Sequence, residues 1–416
     1  MRRIARLAAR GVLVLACAAR ADVGVEQPGG VATLPTPASA HWIVISDFVL
    51  QRNAFVDLDD GRFLGMISTG YGVQQSAYPR RRAEFYLPET YYSRGSRGLR
   101  TDVVSIYDEA TLAPTGEVGI PPKRATNTLA TGNVALSDDD RFLAVFNMTP
   151  ATSLSIVDVV ARSFAGEIPT PGCSLVFAGG ARRFLMLCAD GALLQVALDD
   201  SGHLLRLERS APFFDPDRDP VTEKAVRAGM RWLFVSFEGR VHTVDLSSGA
   251  PRFEPPWSLA DDADRQAGWR IGGNQHLAVH EASGRLYTLM HQGGPDSHKE
   301  PGMEVWAFDL ATQRRVLRIP LRHPGIEILG ESMAFGESWY PPFNGIYGWL
   351  LDHVVPNPGL DRVVVTQDAH PLLVTSSERS GSLCVYDGLS GEFVRRIGSG
   401  NLTVSGLATP FGAEGR

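Results

Sequence analysis

Cysteine is scarce in this chain: four in 416 residues, at Cys17, Cys173, Cys188 and Cys384. That count excludes a disulfide-dense scaffold and a cysteine-built metal cluster. G-x-S-x-G, H-E-x-x-H, a Walker loop and a paired Cys-x-x-Cys are all missing, so no common catalytic motif is written in the sequence. No apolar run is long enough to span a bilayer. Basic charge is not in excess either, the formal net charge being −6. Nucleic acid and anionic membrane are therefore poor partners for it.

The N-terminus reads as an export signal. Arg2, Arg3, Arg6 and Arg10 precede the apolar Val12–Ala18, and Ala19-Arg20-Ala21 offers small residues for cleavage before Asp22. Arg2-Arg3 lacks the rest of a twin-arginine motif, and Val14-Leu15-Ala16 is a poor match to a lipidation signal at Cys17. Removing residues 1–21 takes away five arginines and no acids, so the net charge falls to −11. The expected organisation is a signal peptide over 1–21, a leader over 22–47 and one folded body over 48–416, exported to the periplasm. Basic Arg80-Arg81-Arg82 and Lys123-Arg124 read as solvated loops.

What is abundant is turn-forming sequence: 43 glycines and 27 prolines beside 44% hydrophobic residues. This is the composition of an all-β protein of short strands. One hairpin pattern recurs, an apolar strand ending in Asp, a turn, and a returning strand, as in Val103–Asp108 followed by Glu117–Ile120. The Asp is suited to bond the backbone N–H groups of the turn. Its anchors fall at positions 57, 108, 158, 198, 245, 309 and 387, the copy ending at Leu198 being degenerate. The spacings of 51, 50, 40, 47, 64 and 78 residues predict a seven-bladed β-propeller with YVTN/WD40-like blades. The largest spacing marks an insertion near 322–361, rich in Trp, Tyr, Pro and Gly. It reads either as a partner-binding loop or as an excursion packed on its own blade.

Cys173 and Cys188 flank a strand–turn–strand segment. With Gly180-Ala181 at the tip they fall opposite each other, which predicts a cross-strand disulfide. Cys384, inside an apolar strand, reads as a buried free thiol. His276, His280, His291 and His298 share one stretch; a metal site is conceivable from His276 and His280, but strand and loop histidines are the plainer reading. Asp261-Asp262-Ala263-Asp264 lacks the glycine and terminal glutamate of a calcium loop and reads as a solvated helix start. Gly95-Ser96-Arg97-Gly98 precedes a strand, so it is no phosphate cradle. Arg94, Arg97 and Arg100 beside it read as loop residues before they read as an anion site. No metal and no catalytic constellation is expected in this chain.

The segments ETYYSRGSRGLRTDVVSIYD, PGCSLVFAGGARRFLMLCADGALLQV, GRVHTVDLSSG, GWRIGGNQHLAVH and HKEPGMEVWAFDLATQRRV resemble the heavy subunit of quinoprotein amine dehydrogenases, the methylamine and aromatic amine dehydrogenases. The resemblance runs from about Phe48 to Thr403. It implies a periplasmic α2β2 heterotetramer that oxidatively deaminates primary amines. In that family the heavy subunit is a propeller that carries no cofactor. The light subunit holds tryptophan tryptophylquinone and the catalytic base, and electrons leave to a cupredoxin, amicyanin- or azurin-like. The family's heavy subunit places a phenylalanine at the mouth of the substrate channel. The matching segment here is Gly65-Met66-Ile67-Ser68-Thr69-Gly70-Tyr71, so Tyr71 takes that place, and its hydroxyl departs from the family pattern. An exposed turn tyrosine is the plainer alternative. ETYYSRG and PPKRA lean toward the aromatic-amine branch. The competing reading of the whole chain is a free-standing periplasmic propeller, a binding module or a lactonase-like enzyme.

Overall fold

The computed structural model describes residues 33–129, 131–328, 331–333, 349–378, 382–398 and 402–411. The signal peptide, Cys17 and the middle of the insertion lie outside the described residues. All sheets belong to one compact unit, Leu34–Arg416.

Among the described residues, seven antiparallel sheets form the seven blades of a propeller. Blade 1 contains Trp42–Asp47, Arg52–Asp57 and Phe63–Ser68, and its innermost strand is the C-terminal Gly406–Ala408. Val44 pairs with Ala408 and Ser46 with Gly406, so the two ends of the chain close the ring within one sheet. Trp42–Asp47 had been assigned to the leader; its run Trp-Ile-Val-Ile is a buried strand, and the first blade begins there instead of at Phe48.

Blade 2 is built from Glu84–Arg94, Arg97–Asp108 and Pro114–Ile120, with Ala77 bridging to Tyr86 on its inner side. Blade 3 holds Val134–Leu136, Phe142–Asn147, Ser153–Asp158 and Ser163–Pro169. Blade 4 holds Cys173–Gly180, Arg183–Cys188, Leu193–Leu198 and Leu204–Arg209. Blades 5, 6 and 7 have their third strands at Arg240–Asp245, Glu304–Asp309 and Ser382–Asp387.

Each of the seven anchors ends the third strand of its blade, counted outward from the axis. The aspartates do what the pattern predicts. Asp108 Oδ1 accepts from Thr111 N at 2.8 Å, Asp158 Oδ1 from Ala161 N at 2.8 Å, Asp309 Oδ1 from Thr312 N at 2.7 Å and Asp387 Oδ1 from Ser390 N at 2.7 Å.

Packing is face to face. Phe142–Asn147 and Ser153–Asp158 are buried along their whole length, because neighbouring blades cover both faces. Leu204–Arg209, at a blade's outer edge, is exposed throughout. Seven apolar clusters fill the seven blade interfaces: Phe142, Ile156, Phe184 and Met186 join blades 3 and 4, and Ile43, Val56, Val374 and Val385 join blades 1 and 7. The ring is thus sealed by burial of apolar surface at every joint.

Candidate site at the Tyr71 loop

Tyr71 lies on the connection from blade 1 to blade 2. This loop carries two glycines for steric reasons. A Cβ at Gly70 would stand 2.8 Å from Thr90 O, and one at Gly72, where φ is +89°, would stand 2.6 Å from Thr126 O. The backbone therefore runs against blade 2 more closely than any side chain permits. Tyr71 N donates to Thr90 O at 2.7 Å and Val73 N to Thr126 O at 2.7 Å.

The Tyr71 ring is 36% exposed and meets Tyr92 edge to face at 5.5 Å. Tyr92 belongs to the long hairpin Glu84–Arg94/Arg97–Asp108. The outer strand Pro114–Ile120 pairs only as far as Asp102↔Ile120, so the hairpin projects beyond it. Gly95 and Gly98, with φ of +71° and +101°, turn its tip. That is the role of the Gly95–Gly98 segment: a hairpin end. Tyr91 and Leu99 on this projection are exposed.

Beneath the loop lies a buried polar network that sequence reading did not find. Glu89 is fully buried; its Oε1 accepts from Gly70 N at 2.8 Å and its Oε2 from Ser105 Oγ and the Tyr107 hydroxyl. Burial, reinforced by the Glu89 charge, holds the Tyr107 phenol above its ordinary pKa. Arg124, whose sequence context is that of a solvated loop, is only 4% exposed. Its Nε donates to Thr90 Oγ1 at 3.0 Å, its Nη1 to Val73 O at 3.1 Å and its Nη2 to Tyr71 O at 3.0 Å. Asp102, also buried, accepts from Arg124 N at 3.0 Å, Thr90 Oγ1 at 2.9 Å and Arg100 Nη2 at 2.7 Å. Burial pushes the Arg124 guanidinium down to about 10, and the Asp102 carboxylate opposes that shift. The signal for this network was present as charged residues at strand positions in an otherwise apolar blade, but nothing in the spacing identified their partners.

Val73, Gln74, Gln75 and Ser76 continue from Tyr71 into the wall of a cavity of about 180 Å³. Thr131, Asn274, Gln275 and Arg362 also line it. Among the described residues that line it there is no carboxylate and no imidazole.

The remaining candidates resolve individually. Cys173 and Cys188 pair directly across the strands and are joined by a disulfide, S–S 2.02 Å. Cys384 is a buried free thiol, pushed up to about 12 by burial. His276 bonds Thr222 Oγ1 and Gly273 O, each at 3.1 Å, and burial pushes it down to about 3. His280 bonds Ser283 Oγ and Asp368 O, and His298 stacks on Phe237. The stretch is structural, and no metal-holding group of His, Cys, Asp or Glu occurs among the described residues. Asp261 caps the helix Asp262–Gln266; Asp264 is not solvated but buried against Arg315 at 2.6 Å. Arg100 is held by Asp102. In the insertion, Asp352 binds Arg322 and Arg396, which fixes its described end to blade 7. No helix among the described residues is long and apolar enough to cross a membrane.

Among solved structures, a protein of unknown function from Desulfotomaculum acetoxidans superposes with a TM-score of 0.56 at 13% identity, covering 88% of this chain and 98% of that one. A dihydro-heme d1 dehydrogenase, NirN, superposes with a TM-score of 0.52 at 18% identity, covering 91% and 77%. At those identities the likeness concerns the fold. The methylamine dehydrogenase heavy chain of Methylobacillus flagellatus is 26% identical over 413 residues, 94% of each chain. That of Paracoccus versutus is 26% identical over 362 residues, covering 86% of this chain and 74% of its own. The family described as methylamine dehydrogenase heavy chain (MADH) matches residues 39–334. With most of its length matched in this way, the chain belongs to the methylamine dehydrogenase heavy chain family.

Proposed function

We propose that this chain is the heavy subunit of a periplasmic amine dehydrogenase that oxidises primary amines. It scaffolds a light subunit carrying tryptophan tryptophylquinone, in an α2β2 assembly that passes electrons to a cupredoxin. The observation that carries this reading is the family match over residues 39–334. The partner's quinone supplies the redox chemistry.

This chain's contribution is the wall of the substrate channel. Tyr71 presents a half-exposed ring, braced by Tyr92, on a loop whose backbone is bonded to blade 2. The ring restricts the width available to an amine's side chain, and its hydroxyl adds a polar contact where phenylalanine has none. A hydroxyl in such a wall discriminates between substrates by the hydrogen bond it offers or leaves unmet.

The test is purification from the native host, followed by a search for a co-eluting small subunit with quinone absorbance and amine-dependent dye reduction. Their joint presence is the expected result. A lone, colourless, inactive propeller overturns the reading and favours a free-standing binding module.

A further inference from the structure

We infer that Arg124 is a positioning residue for the substrate channel: its guanidinium clamps the carbonyls of Tyr71 and Val73 and so fixes where the Tyr71 ring stands. The inference rests on the channel-wall reading of Tyr71 given above.

The geometry is specific. Two nitrogens of one planar group reach two carbonyls that are two residues apart in the loop, Tyr71 O at 3.0 Å and Val73 O at 3.1 Å. The third edge of the group bonds Thr90 Oγ1 at 3.0 Å, and Thr90 O receives Tyr71 N. Arg124 is therefore joined to Tyr71 directly through one backbone group and indirectly through the other. Gly70, next in the chain, is held at its N–H by Glu89 and at its carbonyl by Gln74 Nε2 at 2.7 Å. The loop has few backbone groups left to satisfy, and a displaced ring would have to break several bonds together. Lysine does not replace this arrangement, because a single ammonium lacks the flat fork that spans both carbonyls. A solvated arginine would be dispensable here. This one is 4% exposed, and all three nitrogens of its guanidinium are engaged.

The experiment uses the native two-subunit enzyme. The quantity read is the ratio of kcat/KM for an arylethylamine to that for methylamine, in Arg124→Lys, Tyr71→Ala and the double variant. A second readout is amide hydrogen exchange over residues 70–74 in the heavy chain. The inference predicts that Arg124→Lys shifts the ratio about 3-fold or more in the same direction as Tyr71→Ala. The double variant then shifts it no further than Tyr71→Ala alone, since the two residues act as one unit. Exchange over 70–74 rises about 10-fold or more while the blade cores stay protected. A folded Arg124→Lys enzyme with an unchanged ratio, or with unchanged exchange at 70–74, overturns it. If Tyr71→Ala itself leaves the ratio unchanged, it is the channel-wall reading that fails, and the exchange experiment still decides whether the clamp exists.

Discussion

Blades 2 and 4 solve the same folding problem with different materials. Blade 4 is held by apolar packing and a covalent staple. Val176, Phe184 and Met186 fill its face toward blade 3, Phe177 and Leu185 its face toward blade 5, and the disulfide joins its two inner strands. Blade 2 has an apolar core as well, at Tyr86, Val104 and Ile106, but it also buries Glu89, Thr90, Asp102, Ser105 and Arg124. Charged groups are costly to bury and give no general advantage over apolar packing. Their placement under one loop couples that loop's geometry to the blade beneath it. On the channel-wall reading proposed above, blade 4 is frame and blade 2 is the working part.

The sharpest way to break this contrast is to remove one member of the buried network. Asp102→Ala takes the buried acceptor away from Arg124 N and Thr90 Oγ1 and frees Arg100; the expected loss is about 3–5 kcal/mol in chemical denaturation. A loss below about 1 kcal/mol would mean that the network is not structurally coupled. Removing the staple should cost less. Replacing both Cys173 and Cys188 by Ala is expected to lower stability by about 3 kcal/mol, measured by the same titration, with no change at the Tyr71 loop. Smaller still is a turn cap. Asp309→Ala, which loses the bonds to Thr312 N and Thr312 Oγ1, should cost about 1–2 kcal/mol.

The smallest effect concerns the joint that closes the ring, and it depends on pH. His41 lies between Asp59 at 2.7 Å and Asp368 at 3.2 Å, the latter from blade 7. Burial lowers its pKa, but the two carboxylates more than offset this and hold it above its ordinary 6.5. A raised folded-state value means that protonation stabilises the fold. The contribution is fully present below pH 6.5 and is lost as pH rises through the folded-state value. A stability–pH profile of His41→Gln, compared with the native chain, should show that slope flattened; identical profiles would remove His41 from the account.

The frame was legible in the sequence because its signals are local. Val103–Asp108 and Ser382–Asp387 each carry a strand pattern and a turn-capping aspartate within a few residues, and counting them gave the blades. Cys173 and Cys188 were legible for the same reason, since one hairpin fixes their register. The network under Tyr71 was not. Arg124 and Tyr71 are far apart in sequence, Lys123-Arg124 has the composition of any solvated turn, and only the fold brings the guanidinium to the loop carbonyls. Trp42–Asp47 pairs along its whole length with the neighbouring Arg52–Asp57, and only its inner edge depends on Gly406–Ala408 from the other end of the chain.

The division between frame and working part is tested most directly in the native enzyme, by the ratio of kcat/KM for an arylethylamine to that for methylamine. Two variants are compared with the parent: Tyr71→Phe, and the chain with Cys173 and Cys188 both replaced by Ala. The account predicts that Tyr71→Phe moves the ratio by about 3-fold or more with stability unchanged, while the disulfide variant loses stability and keeps the ratio. A ratio that moves in the disulfide variant and stays fixed in Tyr71→Phe would contradict it.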